Sequence, residues 1–154
     1  MFSTWSKILP YLTITVVSSI LVFRVADLDL FEGSSRPVPL SDAWEATYGE
    51  GKARARQEGR VLMLYFGADW CAPCKELEEK TFVDKEVTEL LRSVVPVKID
   101  GSEMSGSVSK LFESYRVYGL PEIVFVGSNG GILESIRISG FIEGEELAGV
   151  LRDL

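Results

Sequence analysis

Two cysteines placed where a buried strand hands over to a helix restrict this chain more than anything else in it. They are the only two in 154 residues and stand in Trp70-Cys71-Ala72-Pro73-Cys74-Lys75, directly after Val61-Leu62-Met63-Leu64-Tyr65-Phe66. The run before them predicts a buried strand: it is apolar and ends in two aromatics, carries no charge, and lies between Gly59 and Gly67. Glu76-Leu77-Glu78-Glu79-Lys80, which follows, is made mostly of strong helix formers. A C-x-x-C at the mouth of a helix, within a βαβ-like pattern, is the signature of a dithiol redox site.

Composition removes most rival chemistries. The chain has no histidine, which excludes a Ser-His-Asp triad, a Cys-His protease and any His-ligated metal or haem. The net charge is −7 and no basic cluster occurs, so no nucleic-acid partner is expected. Cysteines this close form no structural framework, because the loop they close is too short to stabilise much. Thiol or carboxylate chemistry remains. The pair also admits two inert readings, as unreacted thiols or as half a zinc site. A full zinc site takes four ligands, so it would need a second copy of the chain. Neither a metal nor a cofactor is expected.

At the N-terminus, Ile8 to Phe23 is free of charge and is flanked by Lys7 and Arg24. As a helix it would be about 24 Å long, against a hydrocarbon core of roughly 30 Å. Phe2, Trp5, Val25 and Ala26 lengthen the span if Lys7 and Arg24 snorkel. A cleaved signal peptide is the rival, but the run exceeds the usual apolar core and no A-x-A site follows it. The expectation is an uncleaved anchor over 1–26, in the membrane through residues 8–23. A slight bias of positive charge towards the N-terminal side puts the bulk of the chain outside the cytoplasm. Residues 27–40 include Gly33-Ser34-Ser35-Arg36-Pro37-Val38-Pro39 and read as an extended linker. A globular domain is expected over 41–154.

Within that domain a first helix is expected from Ser41 or Asp42, as N-cap, to about Glu58, weakened by Gly49 and Gly51. Beyond the C-x-x-C helix, Asp84 caps a helix from Lys85 to about Arg92. Val94 to Ile99 predicts a second strand, closed by Asp100-Gly101. Ser107 to Tyr115 predicts a helix, with Val108, Leu111, Phe112 and Tyr115 on one face. Pro121 to Val126 predicts a third strand, joined through the Ser128-Asn129-Gly130-Gly131 turn to an antiparallel fourth over Ile132 to Ile138. A helix over Phe141 to Leu154 closes the chain, its early glutamates suiting the dipole. This order gives an α/β fold, a mixed sheet with helices on both faces.

These elements, with Trp70-Cys71-Ala72-Pro73-Cys74-Lys75, Tyr118-Gly119-Leu120-Pro121 and the Asn129-Gly130-Gly131 hairpin, resemble the thioredoxin fold across 41–154. Within that fold the chain is similar to the C-terminal, periplasmic domain of the thiol:disulfide interchange protein family, DsbD. Ala68-Asp69-Trp70-Cys71, Cys74-Lys75-Glu76-Leu77-Glu78, Lys80-Thr81-Phe82-Val83-Asp84, Gly119-Leu120-Pro121 and Ser139-Gly140-Phe141 carry that likeness. It implies a thiol:disulfide oxidoreductase that cycles between a Cys71–Cys74 disulfide and a dithiol. It further implies a reductant of periplasmic protein disulfides, cytochrome c maturation partners included, held in the inner membrane by a single span. The chain shows no counterpart of that family's eight-helix electron carrier, so the expected donor is a separate membrane or thioredoxin-type protein. A disulfide oxidase or isomerase, and a non-catalytic module that binds a metal or a partner, are the alternatives.

Cys71 precedes the helix, where unpaired N–H groups and the dipole favour a thiolate, and is expected to attack. Cys74, one turn on, resolves the mixed disulfide. Trp70 forms a lip for substrate, and Pro73 suits the first turn. Glu78, four residues after Cys74, shares its helical face. The resemblance implies that Glu78 exchanges the Cys74 proton; a solvated surface glutamate is the alternative. Pro121 is expected to be cis from the resemblance, presenting the Leu120 backbone to substrate and keeping metal from the site. Two positions depart from the family. Tyr65 stands where its members usually carry a buried Asp, six residues before the first cysteine, and Glu122 stands where a Thr is common.

Overall fold

The computed structural model describes residues 44, 45 and 47–154. The expected anchor over 1–26, the linker over 27–40, and Ser41 and Asp42 lie outside the described residues. Among the described residues no helix is long and apolar enough to cross a membrane.

The domain is built on strand β1, Leu62–Gly67, every residue of which is buried. Strand β2, Val95–Asp100, runs parallel to it on one side, and β3, Glu122–Val126, antiparallel on the other. The short β4, Ile138–Ser139, pairs antiparallel with β3. The sheet order is therefore β2-β1-β3-β4, a mixed sheet as expected. Alternation along β1 separates two cores. Met63 and Tyr65, with Ile123 and Phe125, face helices α2 (Ala72–Glu76), α3 (Lys85–Leu90) and α5 (Gly144–Arg152). Leu62, Leu64 and Phe66, with Val95, Val97 and Val124, face helices α1 (Tyr48–Glu58) and α4 (Gly106–Ser114). Burying one such large side chain contributes about 1.5–3 kcal/mol, so both faces of β1 are committed to packing.

Three local expectations change. Helix α1 starts at Tyr48, not near Ser41: Thr47 is its N-cap, its hydroxyl accepting from Glu50 N at 3.2 Å. Upstream, Glu45 N donates to Pro96 O at 2.9 Å and Glu45 bridges to Val97, so this stretch extends beside β2. Gly51 is then a packing residue; a Cβ there would stand 2.2 Å from a Val97 methyl. The expected fourth strand is reduced to Ile138–Ser139 and a single bridge from Ile132 to Val126. Between them Glu134–Ile136 forms a 3₁₀ turn. Leu133 and Ile136, three apart, both pack on the core, a spacing that a 3₁₀ turn satisfies and strand alternation does not. The last helix begins at Gly144, with Phe141 and Ile142 packed on the core ahead of it.

Candidate redox site

Chain direction brings β1 to the cysteines. After Gly67 the chain turns at Ala68, and Cys71 becomes the N-cap of α2, with φ −89° and ψ 106°. Its sulfur accepts from Cys74 N at 3.3 Å, and its carbonyl accepts from Cys74 N at 3.1 Å and Lys75 N at 3.2 Å. Cys71 and Cys74 are joined by a disulfide, with Cα atoms 5.2 Å apart. Both are buried within the core cluster on the Tyr65 face. Pro73 stands in the first turn of α2, where its missing N–H leaves no bond unmade. The helix then widens into a π turn over Leu77–Thr81. Its exit is pinned where Phe82 N donates to Leu77 O at 3.0 Å and the Thr81 hydroxyl donates to Ile142 O at 2.6 Å.

Tyr65, the departure in β1, lies beneath this helix. It is fully buried, and its ring makes edge contacts with Trp44 and Phe82 at centroid distances of 5.9 and 5.0 Å. Its hydroxyl donates to Glu78 Oε1 at 2.9 Å and stands 3.4 Å from the Cys74 carbonyl oxygen. A Cβ at Gly67 would come within 2.5 Å of that hydroxyl, so Gly67 makes room for it. Burial first, and then the neighbouring Glu78 carboxylate, push the phenol well above its ordinary range. It stays neutral at any physiological pH. Lys98, paired with Tyr65 in the β1–β2 register, bonds the same Glu78 oxygen at 2.8 Å and lies 5.9 Å from the Tyr65 ring centroid. Glu78 is therefore tied into the site's hydrogen bonds and is no free surface residue.

Trp70 is 69% exposed, just before the disulfide. Its loop is tied to the end of β2: Asp69 N donates to the Ser102 hydroxyl at 2.8 Å, and Gly101 N to Gly67 O at 2.8 Å. Ser102 in turn donates from N at 2.8 Å and from Oγ at 2.5 Å to Asp100 Oδ1. Those two bonds hold the Asp100 carboxyl below its usual range. The Leu120–Pro121 bond is cis, as the resemblance implied. Leu120 packs against both cores. Pro121 lines an open groove of about 390 Å³ with Arg116, Tyr118, Glu122 and Arg137, a lining that includes neither Trp70 nor the cysteines. Glu122 is buried against the Arg137 guanidinium, which also donates to Tyr115 O at 2.9 Å. The residue in place of a common Thr is thus the buried half of a partly buried ion pair. Burial opposes the Arg137 charge, but its bonds to Glu122 and Glu134 outweigh that and raise its pKa.

Sequence reasoning missed Lys98, Ser102 and Arg137. Lys98 had a readable signal, a lone charge inside the apolar strand Val95-Pro96-Val97-Lys98-Ile99. The partners of Ser102 and Arg137 lie far away in the chain and leave no local trace.

A family model described as Thioredoxin-like matches residues 43–128, more than half of the chain. The chain is 35% identical over 97 residues to the thiol:disulfide interchange protein DsbD of Haemophilus ducreyi, covering 63% of this chain and 17% of that protein. It is 34% identical over 102 residues to DsbD of Colwellia psychrerythraea, covering 66% and 17%. Among solved structures it is similar to a thioredoxin from Thermus thermophilus, with TM-score 0.60, 30% identity, and 69% of this chain and 82% of that one covered. The reduced C-terminal domain of Neisseria meningitidis DsbD shares the fold, with TM-score 0.61, 23% identity, and 68% and 90% covered.

Proposed function

We propose, from the premise that this chain belongs to the thioredoxin-like family, that it is a thiol:disulfide oxidoreductase working as a reductant of protein disulfides outside the cytoplasm. The observation that carries the reading is the Cys71–Cys74 disulfide at the start of α2, directly after the buried β1.

In the reduced protein the Cys71 thiolate attacks a substrate disulfide. One substrate sulfur leaves as thiolate, and the other is held in a mixed disulfide with Cys71. Cys74 then gives its proton to the Glu78 carboxylate, and the new thiolate attacks Cys71 Sγ. The mixed disulfide breaks, the second substrate thiolate leaves, and the Cys71–Cys74 disulfide forms. Two electrons have passed to substrate. A separate membrane or thioredoxin-type donor returns them, and protonated Glu78 gives its proton back to solvent. Trp70 supplies an apolar lip, and the backbone at Leu120, ahead of Pro121, aligns the substrate segment. Residues 8–23 anchor the chain in the inner membrane, with the domain on the periplasmic side, where its substrates include cytochrome c maturation partners. These roles and this location follow the family resemblance, and the matched relatives, of whose length the chain spans 17%, bear the name thiol:disulfide interchange protein.

The test is trapping combined with potentiometry. Cys74→Ala should accumulate a mixed disulfide with substrate, and Cys71→Ser should form none and lose insulin-disulfide reduction. The couple should equilibrate near the thioredoxin value of roughly −270 mV. A value near the roughly −120 mV of a strong oxidant reverses the direction and keeps the site. Failure of Cys74→Ala to trap any partner defeats the catalytic reading. Carbonate extraction of the expressed chain tests the anchor, which should stay in the membrane pellet.

A further inference from the structure

Family resemblance places a buried acid on the central strand, yet in this chain that position is the neutral phenol of Tyr65. The carboxylate of the site stands one layer out, on the π turn that follows α2. Glu78 Oε1 accepts from the Tyr65 hydroxyl at 2.9 Å and from Lys98 Nζ at 2.8 Å. Among the described residues neither bond involves Oε2. The three side chains come from three elements, since β1 carries Tyr65, β2 carries Lys98 in register with it, and the turn after α2 carries Glu78. They grade from buried to wet: Tyr65 is sealed, whereas the Glu78 and Lys98 side chains are 31% and 37% exposed. The same Tyr65 hydroxyl stands 3.4 Å from the Cys74 carbonyl oxygen, so one buried atom touches both the resolving cysteine's backbone and its acceptor.

We propose that Tyr65 and Lys98 are positioning residues that hold the Glu78 carboxylate at the Cys74 turn by its Oε1, leaving Oε2 to take the Cys74 proton and pass it to solvent. The inference rests on the reading that Glu78 accepts that proton. The phenol has one proton to donate, and the shorter contact gives it to Glu78 in place of the Cys74 carbonyl. Lys98 supplies the opposing charge and a second donor, which together limit the carboxylate to one orientation. Gly67 belongs to the device, because any Cβ there would displace the hydroxyl. Lys98 faces Glu78 from the sheet, with Asp100 two residues farther along β2; Lys75 and Glu79 are its charged neighbours in sequence.

The experiment separates the two thiol steps in the full chain. Reduced protein is mixed rapidly with the aryl disulfide dithiobis(nitrobenzoate). Attack by Cys71 breaks its S–S bond and releases one coloured thiolate; resolution by Cys74 releases the second. Lys98→Met and Tyr65→Phe should each slow the second release by about threefold to tenfold, the scale of one ordinary hydrogen bond. Lys98→Arg should restore it. Glu78→Gln should slow the second release more than either. Thermal melting of each variant, read in parallel, shows how far the fold itself has shifted, and Lys98, being partly exposed, is the variant that disturbs it least. A normal second release in Lys98→Met and Tyr65→Phe, with Glu78→Gln slow, overturns the positioning roles and leaves Glu78 as acceptor. A normal second release in Glu78→Gln overturns the acceptor reading itself, and the positioning roles with it.

Discussion

Tyr65 and Tyr115 occupy opposite faces of the sheet and solve the same problem with different partners. Each is a buried phenol whose ring packs among aromatics: Tyr65 with Trp44 and Phe82, Tyr115 with Tyr48 and Phe66. Each hydroxyl reaches a second group that also bonds a lysine. On one face the chain of contacts is Tyr65, Glu78, Lys98; on the other it is Tyr115, Tyr48, Lys52, with 2.8 Å between hydroxyls and 3.0 Å from Lys52 Nζ to the Tyr48 oxygen. Even the cation contacts correspond, Lys98 lying 5.9 Å from the Tyr65 centroid and Lys52 5.3 Å from that of Tyr48. The difference is the middle member. A phenol satisfies a buried hydroxyl, and so does a carboxylate, but the carboxylate also brings a negative charge, which Lys98 pairs. Only the Tyr65 face lies under the cysteines.

The largest expected effect tests what the two faces share. Tyr65→Ala and Tyr115→Ala should each destabilise the domain by about 3–5 kcal/mol, the cost of emptying a buried aromatic site. Tyr115, 8% exposed, should fall at the lower end and Tyr65, 0% exposed, at the upper. Denaturant titration measures both. Equal costs would show that the difference in exposure between the two rings carries no weight.

Adding a methyl group separates the faces more cleanly. Gly67→Ala drives a Cβ against the Tyr65 hydroxyl, and Gly51→Ala drives one against Val97. Overpacking of this kind costs about 1–3 kcal/mol. Both variants should lower the unfolding midpoint, but only Gly67→Ala should also slow resolution by Cys74. An undisturbed redox rate in Gly67→Ala would mean that the ring shifts without moving Glu78.

Smaller effects come from the hydroxyls alone. Tyr65→Phe and Tyr115→Phe should each cost about 0.5–1.5 kcal/mol. Burial raises both phenols, Tyr115 also through Tyr48. A raised folded-state value means stability that is complete below the unfolded phenol's pKa of about 10 and lost as pH climbs beyond it. The wild-type chain should therefore lose stability in strong alkali, and each Phe variant should lose less. Stability measured as a function of pH checks this, and a wild-type curve flat above pH ~10 would contradict it.

The comparison also marks how far residue order alone can be read. β1, β2, β3 and the start of the C-x-x-C helix are local patterns, legible as apolar runs and spacing. The face of α4 was legible for the same reason: Val108, Leu111 and Phe112 all pack on the second core. What escaped was non-local. Gly51 reads as a weak point in a helix until β2 is laid against it, and Glu45 reads as helical until Pro96 O is found beside its amide. Tyr65 could be recognised as a departure, but its compensation depends on the β1–β2 register, which puts Lys98 next to it. Glu122 shows the same thing, because its partner Arg137 arrives through the 3₁₀ turn that replaced an expected strand.

The smallest effect divides the faces by acid. On the Tyr115 face the linked groups are phenols and a lysine. On the Tyr65 face, β2 ends at Asp100, whose carboxylate accepts two bonds from Ser102 while Ser102 accepts the amide of Asp69 beside Trp70. The Ser102 bonds depress the Asp100 pKa. A depressed folded value contributes stability that is complete above the unfolded value of about 3.9 and is lost as pH falls through the folded one. Below pH ~4 the Asp100–Ser102 link should therefore weaken and release the Trp70 loop before the opposite face responds. In an NMR titration the Trp70 indole resonance should move in that window while the amide of Leu64, buried on the opposite face of β1, stays still. Asp100→Asn should remove the transition, and Ser102→Ala should shift the Asp69 amide at every pH. Movement of both resonances together would mean that acid unfolds the domain as one unit, with no separate anchoring of the loop before Cys71.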